Sequence, residues 1–227
     1  MKPVALLALA VVATALLPGA MFLPPRGGFI GGGFVTIGPG VAFPSGCGAG
    51  ASAPASVLHP AVTGTIRAFP EMGVRDQAPV GEDIQSSYFR TTETNREFRR
   101  GFMEFAIPRL QGKIQHATLV FAEGPGAVVP GAPDVDNELS WYRADLKVGV
   151  EDYDRPTLFL AGFKDDLQDP NNVWSFDVTS EVRGMQGGCL GFRVKLVLDP
   201  GHTAYGGFGT SIGRYSWIQP HIQLDFA

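Results

Sequence analysis

The sequence predicts an all-β fold, an antiparallel β-sandwich behind a flexible Gly/Pro-rich N-terminal tail, and three observations predict it. The chain holds 30 glycines and 18 prolines but only 18% charged residues, a balance that suits many tight corners better than long helices. From Val57 onward, short runs alternate apolar and polar residues with a period of two and are separated by turn signals. No segment sustains a helical period over its length.

In chain order, the first segment reads as an export signal. Lys2 precedes an apolar run from Val4 to Leu17, and small residues follow at Ala13, Ala15, Gly19 and Ala20. The run is shorter than the roughly 20 residues that span a bilayer and ends at Pro18-Gly19. Cleavage fits Ala13-Thr14-Ala15 and, in part, Pro18-Gly19-Ala20, and the signal is placed at 1–20. Residues 21–56 are mostly Gly, Pro and Ala without period, a flexible tail. Its Gly31-Gly32-Gly33 lacks the Lys-Ser/Thr of a phosphate loop. Pro44-Ser45-Gly46-Cys47 lacks the leading Leu of a lipoprotein site. The sandwich is placed at 57–227.

Within it, VTGTIRAF (62–69) is a short β-branched strand. In RGFMEFAIP (100–108), Met103, Phe105 and Ile107 share one face against Phe102, Glu104 and Ala106, and Pro108 ends the ladder because it has no N–H to give. ATLVFAEGPG (117–126) puts Ala117, Leu119 and Phe121 together and stops at Gly124-Pro125-Gly126. WYRADLKVGV (141–150) alternates through Tyr142, Ala144, Leu146, Val148 and Val150, and TLFLAGF (157–163) follows. WSFDV (174–178) precedes TSEVRGM, a single helical turn capped by Thr179 or Ser180 with Glu181 near its positive end. LGFRVKLVLD (190–199) is the clearest strand, expected to bury one face through Leu190, Phe192, Val194, Leu196 and Leu198. A glycine-rich loop, GHTAYGGFGTSIGRYSWIQP, then leads into the closing strand HIQLDFA, with Ile222, Leu224 and Phe226 inward.

Charge and motifs narrow the function. A net charge of -4 with 18 Lys and Arg argues against nucleic acid as a partner. The G-x-S-x-G string Gly209-Thr210-Ser211-Ile212-Gly213 resembles a nucleophile elbow, but that device needs a helix after the serine and an acid and a histidine further on. Only sixteen residues follow Ser211, with His221 before Asp225, so the match reads as chance and no catalytic residue is assigned. The paired carboxylates Asp134/Asp136, Asp152/Asp154 and Asp165/Asp166 read as solvated loop charges. His59, His116, His202 and His221 fall at no metal-ligand spacing. The two cysteines, Cys47 and Cys189, suit a disulfide in an exported chain, and geometry decides whether they pair.

Five motifs together resemble the DNRLRE-type secreted β-sandwich modules, which are similar to carbohydrate-binding modules. They are R-x-x-x-E-F at Arg100 to Phe105, I-x-x-A-T-L at Ile114 to Leu119, Phe176 to Ser180, Gly191 to Leu196, and Pro220 to Phe226. The resemblance covers about residues 62 to 227. It implies a jelly-roll-like, exported, non-catalytic module, with polysaccharide binding as a role of some relatives. The chain departs from the pattern at Phe105-Ala106-Ile107, where relatives carry Phe-Asp-Leu, and no sorting tail follows the last strand pattern.

Two kinds of site are expected. Asp134, Asp136, Asn137 and Glu138, or Asp165, Asp166 and Asp169, offer hard oxygen ligands for a structural calcium, without the glycine and distant Glu of an EF-hand. Tyr153, Tyr205, Tyr215 and Trp217 lie in or beside loops, where a ring can face a pyranose while Arg214 and Gln219 bond its hydroxyls. The same rings also suit plain packing over a sandwich edge. The expected function is an exported carbohydrate-binding or cell-surface adhesion module with a polysaccharide or cell-surface glycan as partner. The alternative is a structural extracellular or matrix protein without a small-molecule ligand.

Overall fold

A computed structural model describes residues 56–78, 84–124, 134–166, 172–198, 206–213 and 218–227, and all of these fall in one structural unit. The signal and most of the tail lie outside them. The described strands are β1 (Val57–Leu58), β2 (Val62–Phe69), β3 (Val74–Gln77), β4 (Ile84–Thr92), β5 (Asn95–Ile107), β6 (Ile114–Ala122), β7 (Val135–Arg143), β8 (Leu158–Asp165), β9 (Val173–Asp177), β10 (Gly188–Leu196), β11 (Gly206–Ile212) and β12 (His221–Phe226), with one helix, α1 (Thr179–Gly184). Every pairing is antiparallel. The fold is therefore all-β, as its composition and alternation require.

One sheet has four strands in the order β1-β12-β6-β9, and the other has eight, with the path β11-β4-β5-β10-β7-β8. The long strand β5 organises the second. Its residues 98–104 pair with β2, while on its other edge β4 takes 95–99 and β10 takes 100–107. The handover falls at Gly101, where a Cβ would run into Ile84 and the Gln85 backbone. There β4 leaves the ladder and crosses the sheet face, and Gln85 N donates to Thr65 Oγ1 at 2.9 Å. β11 follows β4, and its end joins the small sheet: Gly124 N donates to Ser211 O and Gly213 N to Ala122 O.

Between the sheets, Met103, Phe105, Leu139, Leu190, Phe192 and Val194 meet Ala117, Leu119, Phe121, Trp174, Ile222 and Leu224, all buried. Phe105 and Phe192 meet edge to face with centroids 5.8 Å apart. Each such side chain contributes about 1.5–3 kcal/mol by leaving water, so the interface of the two sheets holds the fold together.

The expectation of half-buried strands needs correction. In β5 and β10 both faces are buried, because residues 144–157 fold back over the outer face of the large sheet as a strap. Beneath it Ile66, Ala68, Phe102, Tyr142, Val148 and Tyr153 form a second apolar cluster. The alternation read at 141–150 is thus not a strand. β7 ends at Arg143, Leu146 has φ 61°, and Val148 packs on Gly64 from above. The helical turn at 179 is present, but Asp177 rather than Thr179 or Ser180 stabilises its start. Asp177 Oδ1 accepts from Thr179 N at 2.9 Å and from Thr179 Oγ1 at 2.6 Å, which leaves that hydroxyl to accept from Ala117 N at 2.9 Å. Among the described residues no helix is long and apolar enough to cross a membrane.

Candidate functional site

The sequence read Gly206 to Gly213 as loop, whereas it is strand β11 and the Gly209-to-Gly213 string runs along its ladder. Ser211 pairs with Gln85 in extended backbone, far from the sharp strand-to-helix turn that exposes a nucleophile. Gly207 and Gly209 answer close packing rather than turning. Gly209 has φ +148° and a Cβ there would meet the Ser86 and Ser87 backbone, and Gly207 lies under the Phe89 ring. In the inward phase Phe208-Thr210-Ile212, Thr210 is 1% exposed.

That threonine belongs to a buried polar cluster at one end of the sandwich. Asn137 Nδ2 donates to Thr210 Oγ1 at 2.6 Å, and the hydroxyl also bonds the Asp165 carboxylate. Val135 pairs with Asp165 and Asn137 with Phe163, so Asn137 and Asp165 are diagonal neighbours on the inner face. Asn172 Nδ2 faces three oxygens at once: Asp165 Oδ1 at 2.9 Å, Asp166 O at 3.0 Å and Glu123 Oε2 at 3.1 Å. Ser86 stands opposite Thr210 across the β4–β11 ladder. Asp165 Oδ2, Asn137 Oδ1 and Ser86 Oγ are buried and make no hydrogen bond. Burial pushes the Asp165 carboxyl up, and Asp166 and Asp134 push it the same way.

A second polar cluster lies under the strap. The Tyr142 hydroxyl donates to Glu104 Oε1 at 2.8 Å, while Gly149 N donates to Asp152 Oδ2 at 2.8 Å. Arg155 Nε stands 2.8 Å from Asp152 Oδ1, an ion pair without hydrogen-bond alignment. Arg193 Nη1 donates to Arg155 O at 3.0 Å and Arg193 Nη2 to Thr157 Oγ1 at 2.7 Å. Burial raises the Glu104 and Asp152 carboxyls and is opposed by Arg155. These groups tie the strap to the sheet.

Only some of the expected site residues are among those described. Tyr153, in the strap itself, is buried, its ring beside the guanidinium of Arg100 at 3.9 Å and that of Arg75 at 5.0 Å, so its faces serve cation-π contacts rather than a sugar. Gln219 is exposed just before β12. Tyr205, Arg214, Tyr215 and Trp217 lie outside the described residues, as does Asp169. Asp134 and Asp136 are exposed, and Glu138 pairs with Lys195 at 2.9 Å. Among the described residues no three of His, Cys, Asp or Glu are grouped to hold a metal. Asp152 and Asp165, expected as solvated loop charges, are both 0% exposed, because chain remote in sequence covers them. Cys189 is 2% exposed and disulfide-bonded, and Cys47 lies outside the described residues.

Sequence reasoning missed Glu123, Asn172 and Thr210, and named Asn137 only as a calcium ligand beside Asp136 and Glu138. One signal was available: in Val135-Asn137-Leu139-Trp141, Asn137 breaks an otherwise apolar phase. The unbonded buried oxygens of this end, Asp165 Oδ2, Asn137 Oδ1 and Ser86 Oγ, are groups that the hydroxyls of a ligand could meet. No protein-family model and no curated protein matches the chain.

Proposed function

We propose that the chain is an exported, non-catalytic module that binds a polysaccharide or cell-surface glycan at the end of the sandwich where Asp165, Asn137, Thr210 and Glu123 converge. The observation that carries this reading is that Asp165 Oδ2, Asn137 Oδ1 and Ser86 Oγ at that end are buried and make no hydrogen bond, in the part of the fold from which the aromatic-bearing segments depart. Val197 N donates to Asp136 O at 2.8 Å, just before segment 199–205 with Tyr205. Gly213 N donates to Ala122 O at 3.1 Å, just before segment 214–217 with Arg214, Tyr215 and Trp217. Planar polar groups next to aromatic rings are what sugar recognition uses, the ring covering a pyranose face and the amides and carboxylates fixing its hydroxyls.

The test is retention of the purified chain on a panel of insoluble polysaccharides, with Trp217→Ala and Tyr215→Ala as variants. Retention that both variants weaken supports the proposal, and passage through every matrix sinks it. A structural role in the extracellular matrix is the second reading. It is favoured by β8, at the end of the large sheet's strand path, where Leu158 and Phe159 are 61% and 67% exposed. Concentration-dependent assembly that Phe159→Lys abolishes, with no glycan retained, would decide for it.

A further inference from the structure

One contact inside the sandwich sets a nucleophile against an electrophile. Asn137 Nδ2 donates to Thr210 Oγ1 at 2.6 Å, and the two residues are 73 positions apart in the chain. The amide carbon Cγ lies one C–N bond of about 1.3 Å beyond Nδ2, so it stands no more than about 4 Å from the hydroxyl oxygen. Atoms poised for attack stand about 3–3.5 Å apart, and a small rotation of either side chain completes the approach.

The polarity of the contact fits as well. Because Thr210 Oγ1 accepts from the amide, its own hydrogen is left for the Asp165 carboxylate, which it bonds. A carboxylate on the hydroxyl hydrogen is the general base that a threonine nucleophile requires. Burial pushes this carboxyl up, toward the range in which it both takes a proton and returns it. Asp165, Thr210 and Asn137 are 0%, 1% and 1% exposed, so water neither competes for the carbon nor hydrolyses a product.

As a purely structural group the amide is poorly placed. Asn137 interrupts the apolar inward phase of β7, its Oδ1 is buried with no hydrogen bond, and the second acceptor of its Nδ2, Val135 O, is 3.5 Å away. A buried amide in that state is costly. An ester in its place keeps no N–H or O–H to satisfy.

We infer that Thr210 Oγ1 and Asn137 Cγ join in an intramolecular ester that ties β11 covalently to β7. Oγ1 adds to Cγ as Asp165 removes the hydroxyl proton, and Asp165 then passes that proton to Nδ2. The Cγ–Nδ2 bond breaks and ammonia leaves, so amide and alcohol become ester and ammonia with no oxidant or reductant. Protonation and dilution of the ammonia in water draw the step forward. β11 stands at one end of the large sheet's strand path and β7 next to its other end, so the bond closes that sheet across its inner face. Like a disulfide, it limits the freedom of the unfolded chain. The inference does not rest on glycan binding, and no sugar enters its test.

For the test, the full chain is denatured, its disulfide is reduced, and it is digested with trypsin near neutral pH for mass spectrometry. Cleavage after Lys113, Arg143, Lys195 and Arg214 frees residues 114–143 and 196–214. The expected result is a single species with the summed mass of these two peptides less one ammonia, which alkali splits in two with a carboxylate at position 137. Thr210→Val, which lacks the hydroxyl, and Asp165→Asn, which lacks the base, should each give the two peptides apart with Asn137 intact. Thr210→Ser should give them joined. Separate peptides from the wild-type chain overturn the inference, and that reading needs no variant to fold. So does a joined species from Thr210→Val or from Asp165→Asn.

Discussion

The two buried polar clusters differ in who supplies the positive charge. Under the strap, Glu104 and Asp152 share their surroundings with Arg155, and Arg193 and Arg100 hold the strap's own backbone, including Tyr153 O. At the end of the sandwich, Asp165 is just as deeply buried, and the described groups that offset its burial are the Thr210 hydroxyl and the Asn172 amide, both neutral. A carboxylate taken from water needs compensation. The strap cluster has guanidinium groups among its described neighbours, although Glu104 Oε2 and Asp152 Oδ1 accept no hydrogen bond, whereas the described groups that bond Asp165 are neutral.

If that contrast holds, the largest effect comes from removing a strap cation. Arg193→Met should cost about 3 kcal/mol, since hydrogen bonds from a charged group contribute about 1.5–3 kcal/mol each and two well-formed ones are lost. A urea midpoint showing a loss below about 1 kcal/mol would mean that the apolar cluster alone holds the strap. Tyr142→Phe comes next, at about 1–3 kcal/mol, because it strands the Glu104 carboxylate. Glu104→Gln should cost less than Tyr142→Phe by the same measurement, since it removes the buried charge.

The pH dependence of Glu104 follows from the direction of its shift. Its folded-state value is raised, so its contribution is fully present below the ordinary glutamate value and is lost as pH rises through the folded value. Melting temperatures recorded from neutral pH downward toward that range should show this gain in wild type and a flatter profile in Glu104→Gln. Asp177 provides the opposite case. Its carboxyl is lowered by the Thr179 hydroxyl and N–H, so its contribution is present above the ordinary aspartate value and fades as pH falls through the lowered one. Asp177→Ala should cost about 1 kcal/mol, seen as a lower thermal midpoint at neutral pH and no difference in strong acid.

The smallest effect should fall on the end cluster itself. By urea melts in the Thr210→Val background, which forms no ester, Asp165→Asn should change stability by no more than about 0.5 kcal/mol or raise it, because the variant removes a buried charge while its amide oxygen can still accept from Asn172. Asp152→Asn, which weakens an ion pair with Arg155, should cost more in the same melts. If the order reverses, the two clusters do not differ in the way their partners imply.

Much of the fold was legible in the sequence. LGFRVKLV, HIQLDF and MEFAI alternate because one face of each meets the opposite sheet, and period two is the direct imprint of that contact. IQSSYFRTT and GGFGTSI escaped notice because their partners, not their own residues, make them strands. Ser86 and Thr210 face each other from positions far apart in the chain, and the glycines of β11 read locally as loop. WYRADLKVGV misled in the other direction: Val148 and Tyr142 do share an apolar cluster, but through a chain that folds back over the sheet. Of the candidate site, Asp165 and Asn137 were named from the sequence as oxygen ligands, but in two separate sets, and Asn137 also stood out by polarity in an apolar phase. Asp165 and Asp166 look alike as neighbours, and only folding buries one and leaves the other exposed.

The sequence by itself determined the all-β class, the inward phase of the central strands and the turn that α1 occupies, because each depends on residues within one short segment. Tertiary structure alone decided that Asp165, Asp152 and Glu104 lie out of water, that an arginine network answers the latter two, and that Asn172 brings Asp165 together with Glu123 from 42 positions earlier in the chain. The physical reason is that burial and charge compensation are properties of what lies across space from a side chain, and local sequence carries no record of that distance.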